Sequence, residues 1–222
     1  MEKLSVIIPA YNAEKYLAEA VESVRKQNWT DEIEIIIIDD GSEDNTLSVA
    51  ERLGDFAISK ERGGAASARN LGVQQATGEM IFFLDADDIV MPGAFDNLYK
   101  PFLNQEEIMA VFSKAEDFLS PELTEAQKKS LITRKEPYGG VLPGCAFIRK
   151  KVFEKVGLFD EKLRAGETVA WQMALRDAQI PVTTVDFVTI LRRLHLSNTG
   201  RVNKEQEMRD YAAIMRRRMK RK

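Results

Sequence analysis

Three aspartates, Asp85, Asp87 and Asp88, follow an apolar, strand-like run in the segment "FFLDADDI". Like charges at the end of a strand repel one another, and a bound cation would remove that repulsion. The D-x-D spacing directs two carboxylates to one side of an extended backbone, which suits a hard divalent ion that also takes phosphate oxygens and water. The segment therefore predicts a Mn²⁺ or Mg²⁺ site that carries a diphosphate.

Two other polar clusters follow apolar runs, "PAYN" at 9–12 and "DDGS" at 39–42. Ligands of open α/β sheets bind beyond the carboxyl ends of the strands, so both clusters would share one crevice with the aspartates. Asp40 with Gly41 could also be only a turn, and Ser42 only a helix cap. The "DDGS" cluster alone leaves both interpretations open.

The segment "GGAASARN" at 63–70 is similar to a glycine-rich phosphate loop. It lacks the spacing of G-x-G-x-x-G and of the P-loop, so the usual mononucleotide and dinucleotide assignments fail. Arg69 in this segment could reach a phosphate or a base, or it could form a surface ion pair. The segment is therefore a weak indication of a phosphate ligand.

Strands and helices alternate in the part of the chain that must position these residues. Apolar, β-branched runs predict four strands and small or amphipathic segments predict intervening helices, with strands at 4–9, 33–39, 55–59 and 79–84 and helices at 13–27 and 63–76. Strand 33–39 is apolar nearly throughout, as expected when both faces of a parallel sheet are covered. This alternation predicts an α/β fold with an open, mostly parallel sheet and helices on both faces.

The pattern is less regular in the second half of the chain. We expect a helix opening near Pro92, a fifth strand at 107–113, a polar connection with one helix at 114–138, a helix at 167–178, and one or two strands in "PVTTVDFVTILRR". A basic helix is predicted at the end of the chain. We divide the chain into 1–113, a second half of the same domain at 114–200, and a terminal helix at 201–222.

Charge and cysteine content restrict the class of protein. The formal net charge is -3, which gives no reason to expect nucleic-acid binding. The single Cys145 excludes an internal disulfide framework, and no apolar run resembles a signal peptide or a membrane span, so we predict a cytoplasmic protein. The tail from 201 to 222 carries nine Lys or Arg against three acids. It either packs as a terminal helix or makes weak contact with an anionic membrane surface.

Four segments, "VIIPAYNAEKYL", "IIIIDDGSEDNT", "GGAASARNLGVQQATGEMIFFLDADD" and "FEKVGLFDE", together resemble the family 2 glycosyltransferases. The resemblance runs from Leu4 to about His195 and is dense up to Pro92. It implies a GT-A, Rossmann-like single domain with an acceptor-side second half. The enzymes of this family transfer a sugar from a nucleotide diphosphate to an acceptor hydroxyl, most often with inversion.

The resemblance also implies roles for individual residues. Tyr11 would lie against the nucleotide base, Asp40 would accept a base N–H, and Asp87 would ligate the metal. Asp88 and His195 would belong to the metal site, or His195 would be structural. The remaining nucleotide and substrate contacts would come from Pro9, Ala10, Asn12, Asp39, Arg69, Asp85 and Ala86. Arg192, Arg193 and Arg201 could contact phosphate or be solvated.

One segment, "RAGETVAWQM", departs from the family pattern. The usual Glu-Asp pair reads Glu167-Thr168, and a threonine cannot act as a base at neutral pH. Glu167 would then be the catalytic base alone, or it would only stabilise the start of a helix. Trp171, four residues later, would share its helical face, as a core residue or as a platform for a sugar ring.

The resemblance therefore implies a metal-dependent, inverting glycosyltransferase. UDP-sugar is the favoured donor, and a glycan or lipid-linked acceptor fits a role in cell-surface polysaccharide biosynthesis, in the cytoplasm or at the inner membrane face. The alternative is a catalytically impaired nucleotide-sugar-binding protein, because of Thr168. A nucleotidyltransferase fits less well, since "IIPAYNAEKY" has no glycine and only one lysine.

Overall fold

Four parallel strands form one half of the sheet in the computed structural model, which describes residues 2–139, 143–163, 165–198, 209–212, 214 and 216. They lie in the order β3-β2-β1-β4 and are β1 (Leu4–Ala10), β2 (Ile33–Asp39), β3 (Phe56–Ser59) and β4 (Met80–Phe83). Ala10 pairs with Asp39, and Ile7 pairs with Phe83. The carboxyl ends of these strands therefore meet at one edge, as the sequence predicts.

Helices cover both faces of this half. The connecting helices are α1 (Leu17–Arg25), α2 (Thr46–Leu53) and α3 (Ala65–Gln75). Leu4, Val6 and Ile8 of β1 pack in one core with α1 and α2, whereas Ile7 packs on the opposite face with α3. The two buried faces explain why these strands are apolar at nearly every position.

The second half of the sheet is mixed, and its strands continue from β4 in the order β8-β6-β9-β5. β8 is antiparallel to both β4 and β6, β9 is parallel to β6, and β5 and β7 are antiparallel to their partners. The elements are β5 (Ile89–Val90), α4 (Ala94–Asn104), β6 (Ala110–Leu119), α5 (Glu125–Ser130), β7 (Tyr138–Gly139), β8 (Ala146–Arg149), α6 (Lys151–Val156), α7 (Glu167–Asp177) and β9 (Val182–Leu194). The predicted α/β class is confirmed, with parallel pairing concentrated in the first half.

The predicted end of the fifth strand needs correction. The strand predicted at 107–113 is β6, which runs to Leu119 because it pairs with β9 as far as Leu194. The boundary between 113 and 114 therefore falls inside a strand, and the polar connection begins after it. Of the terminal helix predicted at 201–222, residues 209–212, 214 and 216 are helical, and the rest lies outside the described residues.

Helix α3 packs unusually close to β1 at Gly72. A Cβ placed on Gly72 would lie 2.2 Å from Cγ2 of Ile7, a contact that no side chain can make without moving the helix or the strand. Glycine therefore sets the distance between α3 and the sheet. In the described part of the chain, no helix has the length and apolar character needed to cross a membrane.

Candidate active site

The aspartate segment turns directly beyond β4, at the carboxyl edge of the parallel strands. Leu84 N–H donates to the carbonyl of Ile7, which extends the pairing of β1 with β4 by one residue. A turn follows, in which Asp88 N–H donates to the carbonyl of Asp85 at 3.0 Å. The three carboxylates consequently leave the turn in different directions.

Asp87 meets His195 across the end of β9. Its Oδ2 lies 2.8 Å from His195 Nε2 and 3.2 Å from Asn198 Nδ2, while His195 Nδ1 lies 2.9 Å from Ser197 Oγ. The imidazole is therefore held at both nitrogens. The structure thus brings together two residues that the sequence predicts as metal ligands, 108 positions apart.

Asp88 points away from this pair. Its Oδ1 accepts a hydrogen bond from Arg193 N–H at 2.9 Å, and only 6% of the residue is exposed. Burial, followed by the charges of Asp87 and Asp85, raises the pKa of Asp88 well above its ordinary value. The carboxyl of Asp88 supports the turn and does not converge with Asp87 and His195.

The residues at the turn fit a divalent ion only in part. Within the described ranges, no group of three or more His, Cys, Asp or Glu side chains is arranged to hold a metal ion. Asp87 and His195 supply one carboxylate and one imidazole, so a diphosphate and water would have to complete the coordination. The described side chains alone therefore do not complete a metal site.

Arg69 connects the turn to the second half of the chain. Its Nη2 donates to Asp85 Oδ1 at 2.7 Å, and its Nη1 donates to Glu167 Oε1 at 2.8 Å. Burial alone would lower the pKa of Arg69, but the charges of Asp85 and Glu167 outweigh it and raise that pKa. Arg69 is buried and has no hydrogen-bond partner at Nε within the described part of the chain. It acts here as a bridge between two carboxylates.

Glu167 is the first residue of α7. It follows Gly166, which has a φ of 77° and caps the helix without a side chain. Thr168, the departure from the family pattern, is buried. The predicted base therefore lies at a helix start beside Arg69, where the helix dipole also favours a negative charge.

Trp171 lies in the core. Its ring stacks on Phe153 with centroids 4.9 Å apart, it contacts Phe159 at 5.4 Å, and its Nε1 donates to the carbonyl of Gly157 at 2.8 Å. Only 4% of the residue is exposed. The structure therefore favours the core role over the sugar platform.

Asp40 is held by the loop before α3. Its carboxylate accepts hydrogen bonds from the N–H groups of Gly63 and Gly64 at 2.8 and 2.7 Å and from Lys60 Nζ at 2.8 Å. Asp39 is held nearby, by Ser42 N–H and Ser59 Oγ. Both aspartates thus hold the loops that line the crevice. The N–H of a nucleotide base would bind to Asp40 in addition to the three donors that the carboxylate already accepts from.

Tyr11 faces Arg62 across the same crevice. The Arg62 guanidinium carbon lies 3.9 Å from the centre of the Tyr11 ring. Asn12 has a φ of 48° and ties its loop to the loop between β2 and α2 by accepting from Glu43 N–H at 2.9 Å. Pro9 and Ala10 end β1 below this loop, and Ala86 is buried in the aspartate turn.

Arg193, one of the arginines that could contact phosphate or be solvated, is 3% exposed and donates from Nε to the carbonyl of Asp87 at 2.8 Å and from Nη2 to Glu19. The sequence patterns do not single out Asn198, Lys60 and Arg62, which contact Asp87, Asp40 and Tyr11, respectively. The neighbouring motifs "LRRLHLSN" and "KERGG" are the only signals that could have identified them. Arg201 lies outside the described residues.

The sequence profile of "Glycosyl transferase family 2" matches residues 5–157. This match covers more than half of the chain, so the chain belongs to glycosyl transferase family 2, and the predicted resemblance and enzyme class are confirmed. An uncharacterized glycosyltransferase of Rickettsia typhi is 30% identical over an alignment 228 residues long, which covers 95% of this chain and 70% of the relative. The minor teichoic acid biosynthesis protein GgaB of Bacillus subtilis is 33% identical, with 73% of this chain matched to 20% of GgaB. The chain spans 54% of a Rickettsia prowazekii relative, which is 30% identical with 72% of this chain matched.

Solved structures share the fold. S. aureus TarS 1-349 in complex with UDP-GlcNAc superposes with a TM-score of 0.71 at 22% identity, over 89% of this chain and 60% of that chain. GalNAc-T7 with UDP, GalNAc and Mn²⁺ gives a TM-score of 0.69 at 22% identity, over 89% of this chain and 45% of that chain. The single mixed α/β domain is therefore a GT-A fold.

Proposed function

We propose that this chain transfers a sugar from a UDP-sugar to a hydroxyl group of a glycan or lipid-linked acceptor, with inversion and with a divalent metal. The observation that carries the proposal is the Arg69 bridge, which brings Glu167 of α7 to Asp85 in the aspartate turn. The proposed donor site and the candidate base would thus be adjacent. UDP is favoured because solved structures of the same fold, TarS and GalNAc-T7, contain UDP-GlcNAc and UDP with Mn²⁺, respectively.

Asp87 and His195 would hold the metal. A bound Mn²⁺ or Mg²⁺ would act as a Lewis acid that neutralises charge on the departing diphosphate. Asn198 and Ser197 would keep the two side chains oriented, and Arg193 would fix the turn by its bond to the carbonyl of Asp87. Asp88 would take a supporting part instead of the ligand role that the sequence predicts.

Glu167 would act as the base. Its carboxylate would take the proton of the acceptor hydroxyl while that oxygen attacks the anomeric carbon and the bond to the diphosphate oxygen breaks. Arg69 would orient the carboxylate through Oε1. The base and the leaving group would lie on opposite faces of the sugar, which gives inversion.

Tyr11 and Asp40 would bind the nucleotide base. Tyr11 offers a ring face that Arg62 covers at 3.9 Å, so the base would have to displace the guanidinium. Pro9, Ala10, Asn12, Asp39 and Ala86 would shape the pocket. The second half of the domain, 114–200, would recognise the acceptor. The protein would be cytoplasmic, and its basic tail would contact the inner face of the membrane.

A catalytically impaired nucleotide-sugar-binding protein is the second candidate. Thr168 favours it, because this buried residue supplies no acid beside Glu167. It predicts metal-dependent binding of UDP without hydrolysis of any donor, even in the Thr168→Asp variant.

Calorimetric titration with UDP and Mn²⁺, with and without a chelator, tests the proposal together with a hydrolysis assay on several UDP-sugars. We expect binding that the chelator abolishes, and hydrolysis that Asp87→Ala abolishes. Asp186→Ala, which removes an exposed carboxylate paired with Lys114, is the control and should change neither. Full activity of Asp87→Ala would refute the metal site, and binding without turnover would favour the second candidate.

A further inference from the structure

The C-terminal segment packs directly behind the start of α7. Asp210 accepts a hydrogen bond from Ala165 N–H through Oδ2 at 2.9 Å, and Asp210 is 6% exposed. A Cβ on Gly166 would lie 3.1 Å from Cε1 of Tyr211 and 3.3 Å from Cδ1 of Ile214. The side chains of Asp210, Tyr211 and Ile214 therefore contact the two residues that precede Glu167.

These contacts matter because the start of α7 has little local support. Gly166 caps the helix in the left-handed region and provides no side-chain hydrogen bond. The first N–H groups of a helix have no acceptor within the helix, and the N–H groups just before it also need acceptors from elsewhere in the chain. Asp210 provides one such acceptor, and its negative charge lies at the positive end of the helix dipole.

Glu167 is thereby held from two directions. Arg69 holds its carboxylate from the side of the aspartate turn, while Asp210, Tyr211 and Ile214 support its backbone from behind. Displacement of the helix start would move Oε1 relative to Arg69. A misplacement of about 1 Å can cost a catalytic group about 100-fold in rate.

We propose that Asp210 and Tyr211 are positioning residues for Glu167. They act through Ala165 and Gly166 and touch neither donor nor acceptor. The inference rests on the proposed function of Glu167 as the base, and it assigns to the C-terminal segment a part in the chemistry beyond that of a terminal packing helix.

The first test compares Asp210→Ala and Tyr211→Leu with Arg216→Ala. Arg216 lies on the same segment, is exposed, and bonds only within the segment to the carbonyl of Ala212 in the described structure, so it is the matched control. At a temperature below the unfolding transition of every variant, we expect kcat for UDP-sugar hydrolysis to fall about 10-fold or more in the first two variants. The Kd for UDP should stay within about twofold, because the nucleotide pocket is untouched.

A double-mutant cycle separates positioning from general stability. In the Glu167→Gln background, Asp210→Ala should lower the residual kcat by less than about twofold, since its effect passes through the missing carboxylate. A purely structural role would instead give independent, multiplicative losses. Multiplicative losses, or unchanged kcat in both positioning variants, would overturn the proposal.

Amide hydrogen exchange gives a readout that does not depend on turnover. Asp210→Ala should speed exchange in residues 165–170 by about 10-fold and leave β1 and β2 unchanged. If the wild-type chain hydrolyses no donor, the proposed function fails, and exchange still decides whether the segment supports α7. Unchanged exchange at 165–170 would refute that support.

Discussion

Asp40 and Glu167 are both anchored carboxylates, but their anchors lie at different distances along the chain. The partners of Asp40 are Lys60, Gly63 and Gly64, which are 20 to 24 residues away. Arg69, the partner of Glu167, is 98 residues away, and the pair of Asp87 with His195 spans 108 residues. The proposed nucleotide side of the site is therefore built within neighbouring βα units, whereas the proposed base and metal residues need contacts across the whole fold.

Because of this difference, we expect substitutions in the two regions to have different effects. Changes near Asp40 should act locally, because its side-chain partners in the described structure all lie in the loop at 60–64. Changes around Glu167 should affect chemistry and stability together, since Arg69 joins α3 to α7 through buried charge. The following variants test that contrast.

Glu167→Gln should have the largest effect. It tests whether Glu167, which is anchored by the distant residue Arg69, performs the chemistry. Loss of a general base lowers kcat by about 10²- to 10⁴-fold, and glutamine keeps the size and a hydrogen-bond acceptor for Arg69. The rate of transfer and the Kd for UDP are measured in parallel. UDP affinity should be unchanged, Glu125→Gln on α5 should behave as wild type, and undiminished transfer would assign the base role elsewhere.

Arg69→Met should lower the free energy of unfolding by about 3 kcal/mol, at the lower end for a broken buried ion pair. The lower end applies because the Asp85 side chain is 37% exposed, while that of Glu167 is 14% exposed. Denaturant titration measures the loss. Lys26→Met is the control, since its pair with Glu22 is exposed and contributes less than about 0.5 kcal/mol. If both variants lost the same free energy of unfolding, the buried Arg69 bridge would be no more important for stability than an exposed ion pair.

Glu34→Gln probes the opposite edge of the parallel strands. Burial by itself raises the pKa of Glu34, but hydrogen bonds from Ser5 and Thr77 outweigh it and lower that pKa to about 2. A depressed pKa gives stability that is present above the ordinary value of 4.5 and is lost as the pH falls through about 2. Glutamine should therefore cost about 1 to 3 kcal/mol at pH 7.

The difference in unfolding free energy between wild type and Glu34→Gln should shrink steadily from pH 5 toward pH 2. Denaturant titrations across that range provide the measurement. Glu22→Gln, an exposed residue of α1, is the control and should show a far smaller change. A difference that stays constant with pH would contradict the assigned ionisation of Glu34.

Arg62→Ala should have the smallest effect, confined to the nucleotide side. An exposed cation–π contact contributes about 0.5 to 1 kcal/mol, so its removal from Tyr11 should tighten UDP binding by about two- to fivefold. Arg134→Ala removes a similar contact with Tyr138 at 3.8 Å and is the matched control. Weaker UDP binding in Arg62→Ala would mean that the guanidinium itself contacts the nucleotide.

The same difference in sequence separation explains what the sequence could predict. The parallel strands, α3 and α7 follow from local sequence patterns, and the elements observed at Leu4–Ala10, Ile33–Asp39 and Glu167–Asp177 agree closely with the predicted ranges. The Arg69 bridge does not follow, because no local pattern relates residue 69 to residue 167. Trp171 could serve two roles by its helical position, and only its stacking on Phe153 decides between them.

The continuation of β6 to Leu119 also required long-range information. Residues 114–119 are mixed in polarity and lack a clear alternation, so the sequence indicates a loop. Pairing with the 13-residue strand β9 holds them extended. Tertiary pairing thus overrides weak local preference in this region.

Gly72 limits how this site can change in evolution. It contacts neither Asp85 nor Glu167, yet it lies one helical turn after Arg69 and lets α3 rest on Ile7. Any side chain there would push Arg69 away from both carboxylates, whichever sugar or acceptor is used. In a library selected for new donors or acceptors, substitutions at Gly72 should disappear first, while the surface of the second half remains open to variation.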